Sequence, residues 1–567
     1  MLGKRAGFSV LAIVSGMLIT CNFPQRLIRP IQPQSTSEPP INLPSESITP
    51  GITTYYIRPD GGTSEQCSGL ADTAYPGSGS AQACAWDHPF RALPPGGPAR
   101  IAGGSTLIIG SGSYMIGYGA PGSDNCEPDG AWECFMSPLP SGPDSGHQTR
   151  MLGAGWETKT GKPPELWGTE RANYVLNLTG SSNVEVGWLE ITDHSGCAEF
   201  HSGGLACKRE NPPFGTWALA GLYAQDSRNV YLHELDIHGL AHTGIWAGRL
   251  TDWQVENVRI SGNGWIGWDG DIEGDDAYQG TISFRHLTIE WSGCVETYPE
   301  KQPTACWGQE AGGYGDGLGT GTTGGHWIIE DSAFRHNAQD GIDLLYTRLP
   351  DGKVEIRRTI SEGNAGNQIK TTGPTVVENS IMVGNCGFFD QQSTWNKDDS
   401  CRAGGDALVL MLRPGDRASV INSTITGAGN VLVISACALD QTCNGSEAVI
   451  LRNDIFLGNP MYPNLPDLTS FAWFNDESGD ILPRNPFDVD FSLIYGNRFG
   501  NVTPCPGLHN LCEAQPGMVN TSLSSFDAHL QPNSPAINSG DPASAPQNDF
   551  DGLPRDAQPD IGAYEWR

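Results

Sequence analysis

The chain has 567 residues, 73 glycines and 41 prolines, with 17% charged and 38% hydrophobic residues, a composition that favours a β protein with short strands over a helical one. Its formal net charge of −31 argues against a nucleic-acid partner, because phosphate binding depends on a basic surface. The same charge repels a polyanion at long range, so an acidic polysaccharide would require cations at its binding site.

Residues 1–21 resemble a bacterial lipoprotein signal peptide. Lys4 and Arg5 precede an apolar run from Phe8 to Ile19, which is shorter than a typical membrane span. The run is followed by Cys21, which we predict to carry the lipid; secretion without lipidation is the alternative. Residues 22–52 are rich in Pro, Ser and Thr and predict a disordered tether. We therefore expect an exported monomer that contacts the membrane only through its anchor.

Residues 53–567 are predicted to form a single right-handed parallel β-helix, an all-β solenoid with disulfide-stapled loops. Pairs of short alternating runs recur at steps of about 21–28 residues, for example from Val230 and from Trp253, and many end in Gly-Asn. Within this domain we expect N-terminal rungs at 53–170, a repeat core at 171–465, and C-terminal loops with a cap over the last rung at 466–567. Asparagines at the bends are expected to hydrogen-bond from rung to rung.

Cysteine spacing predicts a set of local disulfides. The sequence has 15 cysteines, and 14 remain when Cys21 is set aside. An even number in close couples is typical of exported proteins, whereas metal-binding cysteines show tighter Cys-x-x-Cys spacing. We predict seven sequential pairs: Cys67/Cys84, Cys126/Cys134, Cys197/Cys207, Cys294/Cys306, Cys386/Cys401, Cys437/Cys443 and Cys505/Cys512.

The functional prediction rests on three short sequence segments, which we call phrases. They are Asp316-Gly317-Leu318-Gly319, Asp340-Gly341-Ile342-Asp343 and Asn367-Gln368-Ile369-Lys370. Their aliphatic residues are 24 and 27 residues apart, which matches successive rungs. Because side chains alternate along a strand, the aliphatic residues would point inwards and their neighbours outwards. This register predicts an outward patch of four residues: Asp316, Asp340, Asp343 and Lys370.

The composition of this patch suits a metal ion and a proton transfer. Clustered carboxylates repel one another, and burial raises their pKa. A hard cation such as Ca²⁺ relieves the repulsion, since it takes about six to eight oxygen ligands. Beside such a cation the protonated form of Lys370 is disfavoured, so its amine can act as a base. For each residue alone, a turn or a surface ion pair is the alternative.

The segment 316–370 resembles the site of family 9 polysaccharide lyases, which are right-handed β-helix pectate lyases. The resemblance is carried by Asp316, by Gln-Asp-Gly-Ile-Asp at 339–343 and by Gly-Asn-Gln-Ile-Lys at 366–370. It implies that the three aspartates bind calcium and that Lys370 is the catalytic base. Gln339 stands where the family has another aspartate, and it would offer the ion a carbonyl oxygen.

The resemblance also implies β-elimination on a uronic-acid polymer such as pectate. Lys370 would remove the proton beside the uronate carboxylate, and the glycosidic oxygen on C4 would leave. Arg348 is predicted to bind a substrate carboxylate bidentately, with a solvated position as the alternative. Trp246 and Trp268 are predicted to form a sugar-stacking platform, with core packing as the alternative.

Two other functions remain open. A β-helix glycoside hydrolase or epimerase would need a carboxylate pair, for instance Asp316 with Asp340, acting without Lys370. A non-catalytic carbohydrate-binding or adhesin surface protein would use the patch only as structure. The acidic run 269–276 is acidic enough to hold a cation, and a solvated loop is its simpler interpretation.

Overall fold

The structure, a computed structural model, describes residues 53–567 with several internal gaps. The omitted residues are 127–132, 199–216, 273–276, 307–314, 386–387, 392–405, 430, 440, 460–469, 475–481, 498–499 and 501. The predicted signal peptide, its Cys21 and the tether 22–52 lie outside the described residues. Among the described residues there is no helix long and apolar enough to cross a membrane.

The first face of the molecule is a parallel sheet of the longer strands. Each strand pairs in register with the corresponding strand of the next rung. Its members are β1 (Thr54–Gly62), β2 (Thr106–Ile109), β4 (Thr149–Gly153), β7 (Ser182–Asp193), β9 (Arg228–His238), β11 (Thr251–Glu256), β14 (Gln279–Arg285), β19 (His326–Glu330), β22 (Lys353–Arg357), β25 (Thr375–Glu378), β28 (Arg417–Ile421), β31 (Ala448–Arg452) and β34 (Phe487–Asp490).

The second face continues the first around a sharp bend, and β7 and β9 run through both faces. Its remaining strands are short and also parallel. They are β3 (Ser113–Ile116), β5 (Glu165–Gly168), β12 (Arg259–Ser261), β15 (Thr288–Glu290), β20 (Ala333–Arg335), β23 (Ile360–Glu362), β26 (Ile381–Gly384), β29 (Thr424–Gly427), β32 (Ile455–Gly458), β35 (Leu493–Tyr495) and β36 (Leu511–Cys512).

The third face is a separate parallel sheet of ten strands, and it carries the candidate site. In chain order these are β6 (Tyr174–Asn177), β8 (Ala220–Gln225), β10 (Thr243–Gly248), β13 (Ile266–Gly270), β18 (Leu318–Thr320), β21 (Ile342–Leu344), β24 (Ile369–Thr372), β27 (Leu408–Leu412), β30 (Val431–Cys437) and β33 (Ser470–Trp473). Two antiparallel hairpins, β16 (Cys294–Thr297) with β17 (Gln302–Cys306) and β37 (Met518–Asn520) with β38 (Asp527–Leu530), and two 3₁₀ turns, Pro89–Arg91 and Phe388–Gln391, complete the described elements.

Together the three faces form the right-handed parallel β-helix that the repeat predicted. Inward side chains stack from rung to rung into one hydrophobic core, in which Leu318, Ile342, Ile369 and Leu408 are fully buried neighbours. A solenoid of this kind gains stability from contacts between adjacent rungs. The register of each rung therefore depends on the rung before it.

The bend between the first and second faces has a constant length. From β11 to β35, every first-face strand is joined to its second-face strand by two residues. The first of the two adopts a left-handed backbone conformation even where the residue is bulky, as in His286, Arg358 and Phe491. Such a conformation costs roughly 1–2 kcal/mol for a residue other than glycine, so the surrounding packing must stabilise it.

From Leu287 to Asp454, the second residue of each bend takes part in a hydrogen-bond ladder along the molecular axis. Its backbone N–H donates to a side-chain oxygen of the equivalent residue in the next rung, at distances from 2.8 to 3.4 Å. Because these N–H groups are buried, leaving them unpaired would be costly. A second ladder runs through Asn337 and Asn364, as expected for asparagines at the bends. The residues of the first ladder are Leu287, Ser332, Thr359, Ser380, Ser423, Asp454 and Ser492.

The C-terminal segment packs against the side of the β-helix, where the sequence suggested a cap over the last rung. Ala536, Ile561 and Ala563 contact outward aliphatic side chains of the second face, such as Ile455 and Leu457. The amide of Asn422 donates to backbone carbonyls of this segment. The C-terminal segment therefore covers the outward aliphatic residues of the second face.

Five of the predicted cysteine pairs are disulfides in the structure, and each closes a short loop. They join Cys67 with Cys84, Cys126 with Cys134, Cys294 with Cys306, Cys437 with Cys443 and Cys505 with Cys512. Cys197 is also disulfide-bonded. Cys207, Cys386 and Cys401 lie outside the described residues.

A buried ion cluster attaches the β16–β17 hairpin to the second face. His238 Nδ1 lies 2.6 Å from Glu296 Oε1, and its Nε2 lies 3.2 Å from Glu190 Oε1. Burial alone would lower the pKa of His238, but hydrogen bonds to Glu190 and Glu296 raise it to about 9. Burial would raise the pKa of Glu190, but hydrogen bonds from His238 and Lys301 lower it to about 2. His238 is therefore a cation in the folded protein.

Replacing His238 with Ala should lower the free energy of unfolding by about 3–5 kcal/mol, the usual cost of breaking a buried ion pair. The raised pKa of His238 stabilises the fold fully below pH 6.5, and this contribution is lost as the pH rises through about 9. The lowered pKa of Glu190 stabilises it above pH 4.5, and this is lost as the pH falls through about 2. Urea unfolding across this pH range measures both effects.

His326 provides the control, because its Nε2 lies 2.8 Å from Glu355 Oε1 in a partly exposed pair. His326→Ala should cost less than about 1 kcal/mol. Equal losses in the two variants would show that the buried cluster has no special stabilising role.

Candidate active site on the third face

Two adjacent columns of side chains on the third face hold the predicted patch. The strand register pairs Leu318 with Ile342 and Ile342 with Ile369, so the three phrases stack as predicted. In the outward column Asp343 pairs with Lys370. The second column lies two residues before each strand, where the chain turns into the sheet.

In this second column, side chains bind the backbone of the next rung. Asp316 Oδ1 accepts the backbone N–H of Asp340 at 3.0 Å, and Asp340 Oδ1 accepts that of Asn367 at 2.6 Å. The Asn367 amide also donates to Asp340 Oδ1 at 3.1 Å. Asp316 and Asp340 are buried, with exposures of 3% and 1%. The rung-to-rung bonding therefore fixes both carboxylates before any ligand binds.

Lys370 connects the two columns. Its Nζ lies 2.8 Å from Asp340 Oδ2 and 3.0 Å from Asp343 Oδ2. The remaining oxygen of Asp343, Oδ1, accepts the backbone N–H of Leu345 at 3.0 Å. The side chains of Lys370 and Asp343 are 18% and 14% exposed, so they form the accessible edge of a largely buried cluster.

The cluster carries more negative than positive charge. Burial, together with the charges of Asp340 and Asp343, raises the pKa of Asp316 well above its usual range. Burial also raises the pKa of Asp343, although Lys370 opposes this. Burial alone would lower the pKa of Lys370, but Asp340 and Asp343 outweigh it and hold that pKa well above its usual range. With these contacts Lys370 is an ammonium ion.

The donor set of the cluster fits a hard divalent cation. Asp316, Asp340 and Asp343 each offer a carboxylate oxygen, and these oxygens lie within 4.8 Å of one another. Asn367 Oδ1 is buried and has no hydrogen-bond partner in the described part of the chain, so a carbonyl oxygen is also available beside Asp340. Three carboxylates and one ammonium leave a formal charge of −2, which one divalent cation would neutralise.

Gln339 and Arg348 lie close to the cluster along the chain. Gln339 is buried, and its backbone carbonyl accepts the N–H of Gly366 at 2.8 Å. Its role as a metal ligand stays a prediction. Arg348 follows β21, and its guanidinium stacks on the ring of Tyr346 with 4.4 Å between the guanidinium carbon and the ring centroid. Its role in binding a substrate carboxylate also stays a prediction.

The two predicted platform tryptophans occupy opposite sides of the third face. Trp246 points outwards and is half-buried, in the same column as Asp343 and Lys370. Trp268 points inwards and has no exposed surface. It packs edge-on against Trp253 and beside Phe284 in the core.

The prediction that Trp268 binds substrate is therefore wrong. Trp268 pairs with Leu318 in the inward column, so its position along the strand has the same parity as the core aliphatic residues. Its Nε1 donates to the Tyr278 hydroxyl at 3.3 Å, which satisfies the indole within the core.

The sequence argument missed two residues of this face. Asn367 holds Asp340 through two hydrogen bonds, and its place in the phrase matches those of Asp316 and Asp340. This matching position is the sequence feature by which Asn367 could have been identified. Asp269 lies in the outward column beyond Gly319, and burial raises its pKa to about 7. It had been assigned to a solvated loop.

Comparison with known proteins shows resemblance in chain path only. No family model matches the chain, and no curated protein is significantly similar. The pectate lyase Pel9A structure is 14% identical with a TM-score of 0.42, over 91% of this chain and 98% of that chain. The alginate lyase from Paenibacillus sp. str. FPU-7 is 14% identical, with a TM-score of 0.32, over 69% and 94%. The Azotobacter vinelandii mannuronan C-5 epimerase AlgE4 A-module is 11% identical, with a TM-score of 0.29, over 70% and 91%.

Replacing Lys370 with Met should lower the free energy of unfolding at neutral pH by about 3–5 kcal/mol. The variant removes the one ammonium that neutralises Asp340 and Asp343, and it leaves the buried carboxylates facing one another. Urea unfolding followed by circular dichroism measures the loss.

Lys353→Met is the matched control, because Lys353 Nζ lies 3.8 Å from Glu355 and its side chain is 47% exposed. This change should cost less than about 1 kcal/mol. A Lys370→Met protein as stable as the wild type would mean that the ammonium does not stabilise the cluster.

Proposed function

We propose that this protein is a calcium-dependent polysaccharide lyase that cleaves a uronic-acid polymer by β-elimination. The observation that carries the proposal is the position of Lys370, partly exposed and in register with Asp343, with its amine within 3.0 Å of two fixed carboxylates. On the third face, the arrangement therefore places an amine that can transfer a proton next to a group of carboxylates that can bind a cation. The motif resemblance to family 9 polysaccharide lyases agrees with this assignment.

Lys370 is the base in this reaction. As a free amine it takes the proton from the ring carbon next to the uronate carboxylate. The electrons of that C–H bond form the C4–C5 double bond, and the bond from C4 to the glycosidic oxygen breaks. The leaving oxygen takes a proton from water, Lys370 later releases its proton to the solvent, and an unsaturated sugar remains at the new chain end. A nucleophile or a hydrolytic carboxylate pair is not needed, unlike in glycoside hydrolysis.

Asp316, Asp340 and Asp343, with carbonyl oxygens from Gln339 or Asn367, would hold the calcium ion. When bound, the ion neutralises the uronate carboxylate and makes the neighbouring C–H more acidic. Asp340 and Asp343 also bind the Lys370 ammonium, so the calcium ion and the ammonium compete for the same two carboxylates. Lys370 can therefore become a free amine when these carboxylates have another partner.

The rest of the chain fits a protein that works outside the cell. Its disulfides close loops around the β-helix, as expected in an oxidising compartment. We propose that residues 1–21 direct export, that Cys21 is lipidated, and that residues 22–52 tether a monomeric enzyme to the cell surface. Mass spectrometry of the N-terminal peptide from membrane fractions tests the lipid.

Incubation with polygalacturonate, alginate or another uronic polymer in the presence of calcium should produce unsaturated products, detected by their ultraviolet absorbance. Lys370→Ala should reduce the rate by about 10²–10⁴-fold, the usual contribution of a general base. Lys353→Ala should retain full activity, because this lysine is on the first face.

Three results would reject the lyase assignment. One is activity that survives Lys370→Ala, and another is the absence of activity on every uronic polymer tested. The third is a product without the double bond: reducing ends alone would indicate a hydrolase, and an inverted C5 centre seen by NMR would indicate an epimerase.

Calcium binding can be measured directly by isothermal titration calorimetry. Asp316→Asn should weaken binding at least about tenfold, because the affinity of calcium sites depends on the number of charged ligands. Gln339→Asp should strengthen it, since it adds a carboxylate beside Asp340. Asp144→Asn, at an exposed residue far along the chain from the cluster, is the control. Equal affinity in all four proteins would place the ion elsewhere or exclude it.

A further inference from the structure

The outward column that contains Lys370 extends towards the N-terminal rungs. Successive strand partners along it are Tyr223, Trp246, Asp269, Gly319, Asp343 and Lys370. Parallel strands are about 4.8 Å apart, so Trp246 lies roughly 14 Å from Asp343 along the axis. A pyranose unit in an extended chain advances by about one strand spacing, which places Trp246 about three sugar units from Asp343 and about four from Lys370.

The indole of Trp246 is fixed at its polar atom. Its Nε1 donates to the backbone carbonyl of Asp271 at 3.0 Å. The backbone N–H of Asp271 donates to Asp269 Oδ1 at 2.9 Å. One residue therefore positions both Trp246 and Asp269. A ring held in this way loses little conformational entropy when a ligand binds to it.

Trp246 ends an aromatic row and is oriented differently from the other rings. Tyr174 and Tyr223 stack with centroids 4.6 Å apart and an angle of 11° between their planes. Trp246 lies 5.3 Å from Tyr223 at an angle of 76°. The two tyrosines therefore stack on each other. Trp246 packs against the cluster of Trp217, Leu219 and Ala241, and among the described residues no ring is stacked face to face on its indole.

Between Trp246 and Asp343 the column consists of Asp269 and Gly319, which has no side chain. The side chains of Ile266 and Asp316 lie 3.2 and 3.3 Å from where a Cβ of Gly319 would stand. A basic side chain is absent from the column between Tyr223 and Asp343. A uronate in this part of the column would meet the Asp269 carboxyl, whereas an uncharged sugar could hydrogen-bond to it.

We propose that Trp246 is a sugar-stacking subsite for an uncharged pyranose unit, about four units from the uronate bound at Lys370. The substrate class is then a heteropolysaccharide in which uronic acid is combined with neutral sugars. The inference rests on the proposed function only for the identity of the unit at Lys370. The subsite itself is defined by Trp246, Asp269 and Asp271.

Isothermal titration calorimetry on the full-length wild-type protein tests the subsite, because a neutral hexasaccharide lacks the uronate on which the proposed reaction acts. The probes are neutral hexasaccharides of β-1,4-linked glucose, xylose, mannose and galactose. At least one should bind, and adding Trp246→Ala should weaken its binding about tenfold, as expected when an aromatic stacking partner is removed. Trp246→Phe keeps an aromatic face and should retain most of the affinity.

Trp566→Ala is the control, since Trp566 is 43% exposed near the C-terminus, and it should bind as the parent does. If none of the hexasaccharides binds, or if Trp246→Ala binds equally well, the subsite is refuted. Thermal unfolding must show that Trp246→Ala and Trp246→Phe are folded alike. A folded Trp246→Phe that has lost binding as completely as Trp246→Ala also argues against stacking.

The outcome is separable from that of the lyase assay. Binding that depends on Trp246 in a protein without lyase activity would retain the subsite and reject the proposed reaction. Lyase activity in a protein whose neutral-sugar binding does not depend on Trp246 would retain the reaction and reject the subsite.

Discussion

Backbone pairing between successive rungs is the constraint on which this structure depends. Each strand on the third face takes its register from the strand before it, so Leu318, Ile342 and Ile369 stack inwards while Asp343 and Lys370 face outwards together. A shift of one residue in any rung would exchange the two sides of the sheet. The side chains of the patch therefore lie together because the aliphatic residues of the core are stacked in register.

The same pairing between rungs holds the charged side chains of the cluster close together, whereas free side chains in water would move apart. Asp316 and Asp340 each accept a backbone N–H of the following rung, which fixes both side chains in a buried position. Lys370 then neutralises only part of the cluster. The cluster therefore has more carboxyl groups than amines at one accessible point, and the contacts between many rungs hold these groups in place.

The aliphatic spacing was sufficient to predict the fold and the neighbours of Lys370, because the inward residues recur at steps of 24 and 27. The inward direction of Trp268 follows from its spacing of 23 residues from the inward Ile245, whereas the long chain inserted between Trp268 and Leu318 hides only its equivalence with the next rung. The flank position of the C-terminal segment also escaped prediction: outward and inward aliphatic residues alternate on the second face, and the sequence does not say which will be covered. Asn367 does not stand out in the sequence because it is uncharged, and its contribution is a pair of hydrogen bonds donated to Asp340 Oδ1.

The two-residue bend between the first and second faces has a bearing on how such a protein can diversify. Its constant length and its axial ladder set the phase of every rung, whereas the chain between the second and third faces ranges from a few residues to a long excursion containing a hairpin. Loops can therefore lengthen or shorten beside the outward column without moving Lys370 relative to Asp340. The surroundings of the cluster can therefore change in length and composition while the positions of Asp340, Asp343 and Lys370 relative to one another stay the same.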